Sequence, residues 1–150
     1  MMKALLLISL CSIFAGCASY DVAKPISPES GWDFNVAEVD SLQPVLSWEP
    51  EFEGDADLVI FKGPYTKCGF LCYQLANNPE EVLYVETNIP KPEHKVKVEL
   101  EPERVYSWAV RPSQNNDKEK EWSNYEYFAF YGIAFTFSSN LLFKFKTPDN

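Results

Sequence analysis

An all-β antiparallel sandwich is the fold this sequence predicts, and three observations point there. Aromatic residues make up 15% of the chain, a share that suits strands better than helices. Eleven prolines and six glycines interrupt it too often for long helices. Lys95 to Glu101 (KVKVELE) alternates strictly, with Val96, Val98 and Leu100 on one face and Lys95, Lys97 and Glu99 on the other. A half-buried strand requires this period of two.

The elements follow in chain order. Lys3 is a positive charge ahead of Ala4 to Phe14 (ALLLISLCSIF), an apolar run of 11 residues. A bilayer-spanning helix needs about 20 residues, so the run fits the hydrophobic part of an export signal instead. It ends in Phe14-Ala15-Gly16-Cys17. These residues resemble the lipobox of bacterial lipoproteins, with Phe14 where Leu is commoner. The resemblance implies that residues 1–16 are a signal peptide and that Cys17 becomes the lipidated first residue. Small residues before the cut fit a peptidase cleft. The Cys17 thiol would accept diacylglycerol, and the freed amine would take a further acyl chain such as palmitate. Each buried CH₂ contributes about 0.8 kcal/mol, so two or three chains anchor a protein stably where one does not. Ala18 follows the cysteine, where an Asp tends to retain lipoproteins at the inner membrane. By the same resemblance the expected location is the outer membrane, facing the periplasm.

Residues 18–33 contain two prolines and three serines without a clear period. Residues 17–35 are therefore expected to be the lipidated cysteine and a flexible tether, with the folded domain at 36–150. Gln43 to Pro50 (QPVLSWEP) sets Leu46 and Trp48 on one face of a strand. A turn at Glu51 to Asp57 leads to an apolar strand at Leu58 to Phe61 (LVIF), and another lies at Val82 to Glu86. Val105 to Arg111 (VYSWAVR) turns Tyr106, Trp108 and Val110 inward. The last runs are Trp122 to Tyr131, Ile133 to Phe137 and Leu141 to Lys146. Ser138-Ser139-Asn140 is a plausible hairpin length between the last two, so an IAFTF/LLFKF hairpin is expected there. Several short strands spaced by turn signals argue for an antiparallel sandwich.

From about Leu42 to Thr147 the chain resembles a fibronectin type III domain, within the wider immunoglobulin-like class. Trp48 would be the core tryptophan of its second strand. Leu100-x-Pro102-x-x-x-Tyr106-x-Trp108-x-Val110-Arg111 is similar to the run through the corner between the fifth and sixth strands. The resemblance implies that Tyr106 is the corner tyrosine, its hydroxyl bonded to backbone a few residues upstream. Phe145-Lys146-Thr147 resembles the end of the last strand. The aromatic stretch Trp122 to Phe137 departs from the pattern, because it lengthens the chain before that strand.

Candidate chemistry is sparse. Removing 16 residues from 150 takes Lys3 away and changes the net charge from −9 to −10. Such a balance argues against nucleic acid as a partner and favours solubility. Cys68 and Cys72 (CGFLC) are expected to form a disulfide in an oxidising compartment. The spacing is not that of a redox C-x-x-C pair, and two cysteines are half a zinc site. His94, the single histidine, lies beyond Pro90 and Pro92 with no Ser or Cys in a recognisable catalytic setting. Glu51, Glu53, Asp55 and Asp57 lack the spacing of a calcium loop and are expected to be a solvated turn. No P-loop, dinucleotide fingerprint, nucleophile elbow or metalloprotease motif occurs, so no catalytic, cofactor-binding or metal-ligating residue is assigned. Tyr125, Tyr127, Phe135 and Phe137 belong to the aromatic stretch and are either core or an interaction surface. The expectation is a non-catalytic envelope lipoprotein, tied to the membrane at Cys17, that interacts or assembles with an envelope protein. The alternative is a carbohydrate- or peptidoglycan-binding module that uses exposed aromatics.

Overall fold

A computed structural model describes residues 15–29, 36–64, 80–113, 122–131 and 134–149. Among them there is no helix. The strands are β1 (Ala15–Asp21), β2 (Ala23–Ser27), β3 (Ala37–Glu38), β4 (Val45–Pro50), β5 (Ala56–Phe61), β6 (Val82–Ile89), β7 (Glu93–Lys95), β8 (Val105–Pro112), β9 (Asn124–Tyr131), β10 (Ala134–Leu141) and β11 (Phe143–Lys146). They form a five-stranded sheet, β3-β11-β8-β5-β6, and two three-stranded sheets, β2-β4-β7 and β1-β9-β10. The first two make a sandwich whose strand order is consistent with an immunoglobulin or fibronectin III-like fold. Among the described residues only β3 pairs in parallel, with β11.

The core explains the sandwich. Leu46 and Trp48 from β4 meet Leu58 and Ile60 from β5, Tyr106, Trp108 and Val110 from β8, and Phe143 and Phe145 from β11. Trp108 lies at the centre, its ring centroid 6.4 Å from Trp48 and 5.0 Å from Phe143. Residues at alternate positions on β5 and β8 have their own cover: Val59, Phe61 and Ala109 pack with Leu142 and Trp122. The central strands are therefore buried on both faces, which is why LVIF is a continuous apolar run rather than an alternating one.

The Tyr106 corner forms as expected. Tyr106 is buried, and Glu101 N donates a 3.1 Å hydrogen bond to its hydroxyl oxygen. Thr147 closes the same corner: its hydroxyl donates to Glu101 O at 2.7 Å and accepts from Arg104 N at 2.9 Å.

Four expectations need correction. Residues 17–35 are not simply a tether, because Ala15–Asp21 pairs with β9 and Ala23–Ser27 pairs with β4. The bulk of the domain supplies partners that a local reading of a Pro- and Ser-containing segment does not register. Val22, at φ 70°, is the joint between the two strands and redirects the chain from one sheet to another. A β-branched residue in the left-handed region is strained.

KVKVELE is not a strand along its length: β7 ends at Lys95. Val96 and Leu100 are buried, and their N–H groups donate to Pro44 O and Leu42 O, both at 2.9 Å. The chain bows out between these two attachments, leaving Val98 40% exposed.

The IAFTF/LLFKF hairpin does not form. Ser138 to Asn140 lie within β10, which pairs with β9, whereas β11 pairs with β8. Leu141 is buried in the main core and Leu142 in the second cluster. Two successive residues held in different clusters carry the chain across between sheets instead of turning it back. The hairpin is β9–β10, and the last strand of the sandwich, expected over Leu141 to Lys146, is β11 from Phe143 to Lys146, with Leu141 in β10 instead.

Asp57 is not part of a solvated turn. It lies in β5 and is 5% exposed.

Candidate functional site

Cys17 lies in β1, an edge strand that pairs with β9 over seven residues, from Ala15 opposite Phe130 to Asp21 opposite Asn124. β10 pairs on the other side of β9. The combined register sets rows across three strands: Ala15–Phe130–Phe135, Cys17–Phe128–Phe137, Ala18–Tyr127–Ser138 and Tyr20–Tyr125–Leu141. The structure thus brings the expected lipid-bearing residue into one row with Phe137. It puts Tyr125, Tyr127, Phe135 and Phe137 on the two strands nearest to it. The expected Cys68–Cys72 pair lies outside the described residues.

Two faces of this sheet are distinguishable. Tyr20 packs against the main core, 6.4 Å from the Phe143 ring, and Leu141 is fully buried. Ser19, Asp21 and Glu126 are exposed. Successive strand positions alternate between faces, and residues opposed across a ladder share one. Positions 17, 128, 130, 135 and 137 therefore belong to the face of Ser19, Asp21 and Glu126. Positions 18 and 127 belong to the face of Tyr20 and Leu141.

A second constellation joins the edges of the two sandwich sheets. Tyr84 and Glu86 are two apart on β6, the edge of the five-stranded sheet, and His94 is on β7, the edge of β2-β4-β7. The Tyr84 hydroxyl donates to Glu86 Oε2 at 2.8 Å and lies 2.7 Å from His94 Nε2. A hydroxyl has one proton, so with it given to Glu86 the His94 Nε2 must be the donor of the second bond. The two rings stack at 5.8 Å, and Lys97 Nζ reaches Glu86 at 2.8 Å. Burial, then the hydrogen bond to Glu86 and its charge, push the Tyr84 hydroxyl up to about 12. Burial also lowers His94, against the opposing pull of Glu86. The Lys97 and Tyr84 hydrogen bonds hold Glu86 below the usual carboxylate range. At neutral pH Tyr84 is thus protonated and His94 is neutral, which makes the group a clasp between sheet edges rather than a ready proton shuttle. Tyr84 and Glu86 at i and i+2 were visible in the sequence. Their meeting with His94 was not, because it depends on how the two sheets stack.

Asp57 anchors a third group. Its carboxylate accepts from Ser113 Oγ at 2.6 Å, from Asn88 N at 3.2 Å and from Arg111 Nε at 3.3 Å. The Arg111 guanidinium in turn lies 4.5 Å over the Trp122 ring, a cation–π distance. The network connects β5, β6 and β8 and leads to Trp122, two residues before β9.

Among the described residues no group of three or more His, Cys, Asp or Glu is placed to hold a metal ion. Comparison with known proteins finds no matching family model, curated protein or solved structure.

Proposed function

We propose that this chain is a non-catalytic lipoprotein of the bacterial cell envelope, anchored through Cys17, whose sandwich domain binds or assembles with another envelope protein. The observation that carries this reading is Lys3, the short apolar run Ala4 to Phe14, and Ala15-Gly16-Cys17 directly after it. The fold supports it in a secondary way, since such sandwiches serve as binding and spacing modules; fold alone does not decide function. β1 adds a geometric point. Cys17 lies in a strand paired with the domain, so an anchor there would hold the domain close to the membrane rather than on a slack leash. By the residues after Cys17, the outer membrane is the proposed location.

The test is mass spectrometry of the membrane-bound form, joined to crosslinking and affinity purification from the native envelope. An acylated N-terminus at Cys17, lost in Cys17→Ser, together with a specific crosslinked protein, supports the proposal. An unmodified chain free in the periplasm refutes the anchor. Cosedimentation with isolated peptidoglycan, without a protein crosslink, would favour the carbohydrate-binding alternative.

A further inference from the structure

We propose that the face of the β1-β9-β10 sheet bearing Cys17 rests on the phospholipid surface, making the β9–β10 hairpin a second membrane contact beside the acyl anchor. This deepens the lipoprotein reading and rests on it. Three observations converge on that face.

The first is register. Positions 17, 128, 130, 135 and 137 share the face opposite to the one through which Tyr20 and Leu141 join the core. Four of these five positions are phenylalanine, and the fifth is the expected acylation site.

The second is the distribution of charge along the strands. Asp21 and Glu126 are at the end where the sheet joins the domain. From Tyr127 to Phe143 the sequence has no Asp, Glu, Lys or Arg. The face therefore runs from charged to uncharged and aromatic in the direction of Cys17. A chain whose net charge of −9 becomes −10 on loss of Lys3 gains nothing electrostatically from anionic lipid, so the contact must be apolar.

The third is the consequence of processing. A cut before Cys17 removes Ala15 and Gly16, the β1 partners of Phe130 and Ala129. The β9 edge is then open just where the acyl chains emerge. Unpaired backbone groups are costly in hydrocarbon but not where water reaches them. The sheet accordingly lies at headgroup level, where water still reaches the open edge.

The test uses the full-length protein, purified from its native membrane and reconstituted into vesicles of phosphatidylcholine and phosphatidylethanolamine with brominated acyl chains. Bromine quenches a nearby indole. Phe135→Trp, with Phe137→Trp as a second probe should the first not fold, reports on the apolar end. Ser19→Trp reports on the charged end of the same face. After subtraction of the wild-type signal, the indole at 135 or 137 should be quenched at least about twofold more than that at 19. The difference should persist at about 0.5 M salt, because an apolar contact is not screened. Equal quenching at the two ends, or none at either, overturns the inference and leaves the face to a protein partner or to solvent. The intact mass of the same preparation separates the two claims. Acylated Cys17 with an unquenched indole sinks this inference alone, whereas an unmodified Cys17 sinks the lipoprotein reading on which it rests.

Discussion

Asp57→Ala should be among the most destabilising single changes on this domain that touch no apolar side chain. The carboxylate is 5% exposed and accepts three hydrogen bonds, from Ser113, Asn88 and Arg111. A hydrogen bond to a charged group contributes about 1.5–3 kcal/mol net. The sum is reduced here because the Arg111 side chain is 34% exposed and can recover solvation, and because Ser113 Oγ also accepts from Asn88 N at 3.2 Å. What remains is about 3 kcal/mol, in the range for breaking a buried charged pair from one side. For a domain of this size that corresponds to a fall in Tm of roughly 10 °C. Asp57→Asn keeps the shape and one acceptor oxygen but gives up the charge facing Arg111, and should cost about half as much. Urea and thermal unfolding of the two variants beside the wild type measure both values. A loss below about 1 kcal/mol for Asp57→Ala would mean that the carboxylate is solvated after all, as a local reading of the acidic run suggests.

Tyr106→Phe should cost about 1 kcal/mol in the same assay, since it strips the acceptor from Glu101 N while leaving the ring packed against Phe145; no loss would remove the corner bond from the account. Thiol labelling of the exported protein without reductant should find neither Cys68 nor Cys72 free, and ready labelling of both would refute the disulfide. Burial lowers His94 in the folded chain, so the unfolded chain takes up the extra proton as pH falls below about 6.5, and stability present at neutral pH is lost on acidification. His94→Gln should flatten that acid limb in unfolding curves between pH 7.5 and pH 5, values chosen to bracket the ordinary range of about 6.5. Tyr84 moves the other way. With its hydroxyl raised to about 12, its contribution is fully present below about pH 10 and is lost as pH rises towards the folded value, and Tyr84→Phe should remove that alkaline limb.

The residues that carry the sandwich were legible because their pattern is local. Leu46 and Trp48, the LVIF run, and Tyr106, Trp108 and Val110 all lie in strands and are buried as their spacing predicts. The corner tyrosine was legible because its partner, Glu101, is five residues away. The failures share one physical origin. KVKVELE has a faultless alternation, yet bonds from Val96 and Leu100 to Pro44 and Leu42 pin its ends so that the middle bows outward. Nothing within seven residues reveals where those acceptors lie. IAFTF and LLFKF are joined by a turn-like tripeptide, yet burial of Leu141 and Leu142 in separate clusters outweighs the turn propensity of Ser138-Ser139-Asn140. Asp57 looks like one more acid in an acidic run because its three donors come from β8 and the ends of β6 and β8, at sequence distances of 31 to 56.

The end of the molecule that carries Cys17 shows the same principle. Taken alone, residues 15–29 contain a cleavage pattern, two prolines and scattered serines, and they read as something to be discarded or left slack. Taken alone, Trp122 to Phe137 is an aromatic excess with no assigned place. Pairing β1 with β9 settles both backbones at once, because each segment supplies the ladder the other lacks. It also makes the two expectations interdependent. If Cys17 is acylated, the aromatic strands lie beside the lipid whether or not they also meet a protein. If those strands are covered by a protein instead, that protein must sit within one strand's width, about 5 Å, of the anchor. A partner bound at the far end of the sandwich would satisfy neither arrangement, and the position of the first crosslink relative to β9 therefore carries more information than its existence.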